Sequence, residues 1–253
     1  MLDLLVFNPM VNSLLFIYDF LFHNFALAII VFTILIRVIT LPLTLQQQRS
    51  TQRMQELQGS KRWQDMQKKY KGDRQKIQEE QLKLYKEVGF NPLSGCLPLL
   101  IQFPILIGLY QSISSALALA PPQLLHLSQR IYPFVSSSLV PVDSRFLWWD
   151  LGQPERLLSP QVLGFGLPVL TILVVVTSWL QTKLTTPPSA DAQSKQMSTM
   201  MSLYMPLLIG YFSYSYASGL ALYFLVSNIA TVIQYAAMGK VNWRRMLSLR
   251  GNA

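Results

Sequence analysis

Apolar residues in this chain gather into long runs separated by polar segments. Residues 25–45, 93–119, 160–182, 197–217 and 219–239 contain a single charged side chain between them, Arg37. Each run reaches the roughly 20 residues that cross a hydrocarbon core as a helix. The pattern therefore predicts an all-α membrane protein, one domain over residues 1–253 with five transmembrane helices, the last two joined by a short turn near Ser218 and Gly219. A further helix is predicted over residues 8–24. Pro9 suits a first helical turn, and Met10, Leu14, Ile17 and Leu21 recur at helical spacing opposite Asn12, Ser13 and Asp19. That is the pattern of a helix lying in the membrane interface. The alternative is an extension of the first span, which would bring Asp19, His23 and Asn24 into lipid. The first residues lack a basic n-region and a small-residue cleavage site, so no signal peptide is expected.

The long polar segment, residues 46–92, keeps sparse helical stripes: Met54 and Leu57, then Trp63, Met66 and Tyr70, then Ile77, Leu84 and Val88. Lys71-Gly72-Asp73 interrupts them, with Asp73 able to cap a second helix, and Gly89 and Asn91-Pro92 end it. The expectation is a helical hairpin; the alternative is a solvated charged linker.

Composition and charge orient this scheme. The chain is 51% hydrophobic and 13% charged, against about 25% charged in soluble proteins. Its net charge of +9 is concentrated in the 46–92 segment, at Lys183 and Lys195, and in the tail 240–253 with Lys240, Arg244, Arg245 and Arg250. The loop over residues 120–159 has Arg130, Arg145 and Arg156 balanced by Asp143, Asp150 and Glu155. Excess positive charge stays in the cytoplasm. The hairpin between the first and second spans and the C-terminus are thus expected inside, and the N-terminus and the 120–159 loop outside. Trp148 and Trp149 in that loop suit the membrane–water boundary. The basic hairpin and tail suit anionic lipid or a ribosome. A bacterial plasma membrane fits, and a thylakoid or mitochondrial inner membrane would arrange charge the same way.

The candidate chemistry is sparse. Cys96 is the lone cysteine, and His23 and His126 lie far apart, so neither a disulfide nor a metal site is expected. No glycine-rich phosphate loop and no CxxC pair occurs. No cofactor and no enzymatic activity are expected. Arg37 stands out instead. An arginine at the centre of a spanning helix costs about 2.5–3.5 kcal/mol on insertion scales. Thr33, Arg37, Thr40 and Thr44 share one helical face. Polar stripes recur elsewhere: Gln102 in the second span, Thr171, Ser178 and Gln181 in the third, Tyr204, Tyr211 and Ser215 in the fourth, and Phe224, Ser227, Thr231 and Gln234 with Asn228 in the fifth. No predicted span carries a carboxylate to pair with Arg37, which points to a wet cavity. Interhelical hydrogen bonding is the competing role for such stripes. Pro42, Pro98, Pro104, Pro168 and Pro206 add kinks suited to helices splayed about a cavity, or are ordinary membrane-helix prolines.

NPLSGCLPLLIQFPILIGLY (Asn91 to Tyr110) resembles the second-span signature of the YidC/Oxa/Alb membrane protein insertases. IRVITLPLTLQQQRS (Ile36 to Ser50), FLWWDL, MSLYMP and ASGLALYFLVSN (Ala217 to Asn228) resemble other family segments in order along nearly the whole chain. The resemblance implies five spans, a cytoplasmic hairpin, and a groove open to the cytoplasm and lipid but closed outside, with Arg37 in it. Gln181 and Phe224 match groove positions. Ala217 stands where the family usually has proline, and Phe224 where it often has Trp or Tyr. The large outer domain of many Gram-negative members is not seen in this chain.

The implied function is an insertase or chaperone that works without ATP. Arg37, with Thr33, Thr40, Gln102, Gln181, Phe224, Ser227 and Asn228, would receive the polar, often acidic tails of nascent membrane proteins. Their apolar segments would slide against the third and fifth spans into lipid. Met197, Met201 and Met205 would guide substrates. A ribosome and a Sec-type translocon are possible partners; sequence-specific nucleic-acid binding is not expected. The rival readings are a small transporter or channel, and a passive assembly scaffold.

Overall fold

A computed structural model describes residues 7–87, 97–116, 132, 142–147, 149–155, 161–162, 165–166, 168–185 and 192–238. In order these form helices α1 (Asn8–Phe20), α2 (Phe25–Gly59), α3 (Lys61–Lys69), α4 (Arg74–Glu87) and α5 (Leu97–Ala116). Strands β1 (Arg145–Phe146), β2 (Trp149–Asp150), β3 (Gln161–Val162) and β4 (Phe165–Gly166) follow, then helices α6 (Val169–Thr185), α7 (Ala192–Ser215) and α8 (Ser218–Ala237). The fold is mostly helical, as the hydropathy pattern predicts. The two-residue antiparallel ladders β1–β2 and β3–β4 are additions to that all-α expectation. Among the described residues, α2 and α8 are long and apolar enough to cross a membrane by length and composition, and α6 and Phe103–Ile113 are shorter apolar helices.

Contacts divide the chain into two compact units. The first comprises Met1–Val38, Pro104–Thr185 and Met201–Ala253. Its core draws Leu14 and Leu15 from α1, Phe25, Ile29 and Phe32 from α2, Leu109 and Ile113 from α5, Val174 from α6, and Leu220 to Phe224 from α8. Helix α1 buries Met10, Val11, Leu14, Leu15 and Tyr18. Gly108 of α5 admits the close approach of Met10, whose Sδ lies 2.5 Å from where a Cβ would stand. Asn12 departs from its expected place on the polar face. It is buried, its Nδ2 donates to the Asn8 carbonyl at 2.8 Å, and its Oδ1 accepts the Tyr132 N–H at 2.7 Å. Paired on both sides, the amide can be enclosed. The exposed face of α1 carries Phe16 and Phe20 beside Asp19. The helix stops at Phe20, short of residue 24, where Phe22 and His23 take positive φ and turn the chain into α2.

Helix α6 begins at Val169, directly after Pro168, whose carbonyl accepts the Ile172 N–H at 3.0 Å. The predicted third span is thus shortened at its start, and Pro168 opens a helix instead of kinking one. Helices α6 and α8 pack against each other. Only Tyr216 and Ala217 separate α7 from α8.

The second unit comprises Ile39–Phe103 and Thr186–Met200. Helix α2 runs through the expected boundary at Leu45 to Gly59, because Gln46-Gln47-Gln48-Arg49 are good helix formers that end the apolar run without ending the helix. Ser60 then caps α3, its Oγ accepting the Trp63 N–H at 3.3 Å. Asp73 caps α4 through the Lys76 N–H at 3.2 Å. Between them Gly72 has φ of +105°, a conformation that favours glycine. Trp63, Met66, Leu57 and Leu84 form a small core with Tyr70, Ile77 and Tyr85 against it. Val88 and Gly89 lie outside the described residues.

Candidate functional site

Arg37 lies on an apolar stretch of α2 in the first unit and is half-buried. Its Nη2 donates to Ser227 Oγ of α8, so the charge tied to the fifth predicted span is the one the sequence singles out. A turn before it, buried Thr33 donates to its own helix at the Ile29 carbonyl, 2.6 Å away. Thr40, a turn beyond Arg37, is half-buried in the second unit, where its carbonyl accepts Thr44 Oγ1–H at 2.9 Å.

Asn228, next to Ser227, bridges α8 and α6. Its Nδ2 donates to Ser178 Oγ at 2.7 Å and Thr177 Oγ1 at 3.2 Å. Thr231 donates back to the Ser227 carbonyl at 2.8 Å. The structure thus brings together Arg37 with Ser227, and Asn228 with the α6 stripe. Gln181 is half-buried a turn past Ser178. Phe224 is packed into the core beside Tyr223, with ring centroids 5.6 Å apart. Met205 is half-buried on α7. The side chains of Gln102, Met197 and Met201, and all of Lys240, Arg244, Arg245 and Arg250, lie outside the described residues.

Exposed apolar residues line several helices, among them Ile172, Leu173 and Val176 on α6 and Ile229 and Ile233 on α8. Ile107 and Tyr110 on α5, and Leu203, Tyr204, Leu207 and Tyr211 on α7, are all exposed. The α8 segment from Ser218 to Phe224 is buried. Lys183, at the end of α6, stands over the Trp179 ring, 4.3 Å from its centroid. Among the described residues no group of three or more His, Cys, Asp or Glu gathers to hold a metal ion.

Sequence reasoning missed Glu155. Counted as one of three loop acids balancing three arginines, it is instead fully buried, at 0% exposure. Its carboxylate accepts the Leu170 N–H at 2.7 Å, the Thr171 N–H at 2.8 Å, Thr171 Oγ1–H at 2.7 Å and Trp149 Nε1–H at 3.2 Å. Two of these donors are first-turn amides of α6, which have no acceptor within the helix. A carboxylate there also meets the positive end of the helix dipole. Trp149, expected at the membrane boundary, is 8% exposed and part of this arrangement. Trp148 lies outside the described residues. A carboxylate in a loop that ends in an apolar helix start was the available signal, and it is a weak one.

The family model for the 60Kd inner membrane protein matches residues 16–244. The chain belongs to the YidC/Oxa/Alb family. A membrane protein insertase YidC of Fusobacterium nucleatum is 36% identical over 211 residues, covering 83% of this chain and 84% of that protein. One from Syntrophobacter fumaroxidans is 33% identical over 238 residues, covering 90% of this chain but 37% of the relative. The chloroplastic inner membrane protein ALBINO3 of Arabidopsis thaliana is 30% identical over 240 residues, covering 87% of the chain and 47% of that protein. A crystal structure of an active YidC insertase, with its first transmembrane domain resolved, is similar at a TM-score of 0.58 and 32% identity. That match covers 92% of this chain and 45% of the other. Members of the YidC/Oxa/Alb family thus range from chains of nearly this extent to ones more than twice as long.

Proposed function

We propose that this chain is a membrane protein insertase of a bacterial inner membrane or a thylakoid. The observation that carries the reading is half-buried Arg37, its guanidinium held toward α8 by Ser227 from an otherwise apolar stretch of α2 in a YidC-family chain. In this reading five helices span the bilayer, α1 lies in the outer interface, and α3 and α4 form a cytoplasmic hairpin. The N-terminus is outside and the C-terminus inside. Within the first unit Gln181 and Asn228 extend the polar level around Arg37, and Thr33 and Phe224 shape its walls; Thr40 and Gln102 are further substrate contacts that the family resemblance implies. The acidic tail of a nascent membrane protein loses much of its hydration on entering lipid. Arg37 offsets that loss at low dielectric, where attraction is strong. The membrane potential adds about 2.3 kcal/mol per charge per 100 mV. The apolar segment then leaves into lipid, its partition supplying free energy without ATP.

On its way the apolar segment slides against the third and fifth spans, α6 and α8. Exposed Ile172, Leu173 and Val176 on α6 and Ile229 and Ile233 on α8 offer an apolar face for it, and α7 adds exposed Leu203 and Leu207. Met197, Met201 and Met205 on α7 are adaptable contacts along the same helix. Lys240, Arg244, Arg245 and Arg250 dock a ribosome or anionic lipid, and a Sec-type translocon is a compatible neighbour.

Full-length protein in vesicles tests this reading. Without ATP it should insert a membrane protein with a short acidic tail, and Arg37→Ala should slow that substrate more than one with a neutral tail. Equal insertion of both by wild type and Arg37→Ala would end the proposal. A second reading, a passive scaffold, is favoured by the Asn228–Ser178 and Asn228–Thr177 bonds, in which polar stripes join helices. It expects Arg37→Ala to alter stability and leave insertion unchanged.

A further inference from the structure

Glu155 is a buried charge for which the insertion reading has no use. Enclosing an ionised carboxylate is costly unless its acceptor sites are filled, and here two amides, one hydroxyl and one indole N–H fill them. The same short strap, residues 151–155, also serves a second helix. The Leu151 carbonyl accepts the Gly219 N–H at 2.8 Å, and the Gln153 carbonyl accepts the Ser218 N–H at 2.9 Å and Ser218 Oγ–H at 2.7 Å. Pro154 pairs with Ala217 across an antiparallel bridge. One strap therefore satisfies first-turn amides of both α6 and α8, groups that would otherwise seek water.

Its surroundings are dry. Val142, Trp149, Leu151, Leu170 and Leu220 are buried in one core cluster. A Cβ on Gly219 would stand 3.2 Å from both Ile29 Cδ1 and the Leu151 carbonyl and 3.3 Å from Ile113 Cγ2, so no spare volume remains there. Farther along the same two helices Ser178 and Asn228 are bonded to each other, and Arg37 of α2 reaches Ser227.

We propose that Glu155 is a sealing residue: by fastening Trp149 and the α6 N-terminus to the strap that holds the α8 N-terminus, it closes this end of the helices to water and ions. The proposal rests on the insertase reading in one respect. A hydrated polar level partway across a bilayer leaks ions unless the other end is shut. Glu155→Gln keeps the shape but turns an amide NH2 toward donors, so donors face a donor and water is drawn in to separate them. Thr171→Val removes one donor and leaves the carboxylate its other bonds.

The test uses full-length protein in phosphatidylethanolamine–phosphatidylglycerol vesicles with an entrapped pH-sensitive dye, under a potassium diffusion potential and with no substrate. Glu155→Gln should raise proton leak about tenfold over wild type, and Thr171→Val by a smaller factor, while insertion by both variants stays within about twofold. Wild-type leak in both variants, each folded and monodisperse, would overturn the proposal. Should Glu155→Gln not fold, Thr171→Val decides alone: increased leak supports the seal and wild-type leak refutes it. Because the leak assay contains no substrate, a failure of insertion would refute the insertase reading and leave the seal standing.

Discussion

Glu155 and Arg37 are both charges set among apolar helices of the first unit, and the fold treats them differently. Glu155 is fully enclosed, with its carboxylate filled by donors from α6 and the β1–β2 segment. Arg37 is half-buried and reaches across to a hydroxyl of α8. The first arrangement uses a charge to fix geometry; the second joins a charge of one helix to a hydroxyl of another at partial exposure. A charge built into architecture should show its worth in stability, and a charge that serves substrates, as proposed for Arg37, should show it in insertion.

The largest expected effect follows from the first half of that contrast. Glu155→Ala leaves the Leu170 and Thr171 amides and Trp149 Nε1 without their acceptor inside the core. Unfolding in detergent should show a loss of about 3 kcal/mol. A loss below about 1 kcal/mol would mean that water replaces the carboxylate easily and that this end is wet.

Arg37→Ala should behave in the opposite way. The Ser227 bond contributes about 1.5–3 kcal/mol as a charge-assisted hydrogen bond, and removing a spanning arginine recovers about 2.5–3.5 kcal/mol of insertion cost. The two offset, so stability should change little. Insertion of an acidic-tailed substrate should fall about tenfold, equivalent to about 1.4 kcal/mol of barrier. A large stability loss with normal insertion would make Arg37 architectural too, and the contrast would vanish.

The two charges also differ in how legible they were. Arg37 was plain in the sequence because a lone cation in an apolar run has a known cost, and Ser227 and Asn228 were plain because i, i+4 and neighbouring positions set them on one stripe. Their roles were less plain. Spacing puts Asn228 on a face but does not say whether that face meets solvent or Ser178, and it meets Ser178. Glu155 was hidden because balanced loop charges carry no periodicity, and its partners Leu170 and Thr171 are far from it in sequence. The end of α2 was misjudged for a different reason. Hydropathy reports where lipid would stop, near Leu45, whereas the backbone follows helix propensity and capping to Gly59 and Ser60.

Asn228 tests whether the polar stripes are glue or lining. Asn228→Ala should cost about 1 kcal/mol. Combined with Ser178→Ala in a double-mutant cycle, the coupling should be about 0.6 kcal/mol, the average for such bonds between membrane helices. Zero coupling with reduced insertion would return Asn228 to the Arg37 level as a contact for substrate.

The smallest effect compares Glu155 with a second carboxylate that caps a helix, Asp73. Asp73 lies in the exposed turn before α4, and its pKa is held below the usual 3.8, first by the Lys76 backbone N–H and then by the Lys76 side chain. A carboxyl whose folded pKa is depressed stabilises the fold fully above its unfolded pKa and loses that contribution as pH falls through the folded value. The start of α4 should therefore loosen only below about pH 4, seen as a shift of the Lys76 amide resonance in the full-length protein. Asp73→Asn keeps an oxygen acceptor without the charge and should remove the pH dependence while leaving the cap. Solvent screening keeps the whole effect local to α4. Were acid instead to leave the Lys76 resonance still while the rest of the protein unfolded, the charge of Asp73 would contribute nothing to the start of α4, and this cap would differ from Glu155 in exposure alone.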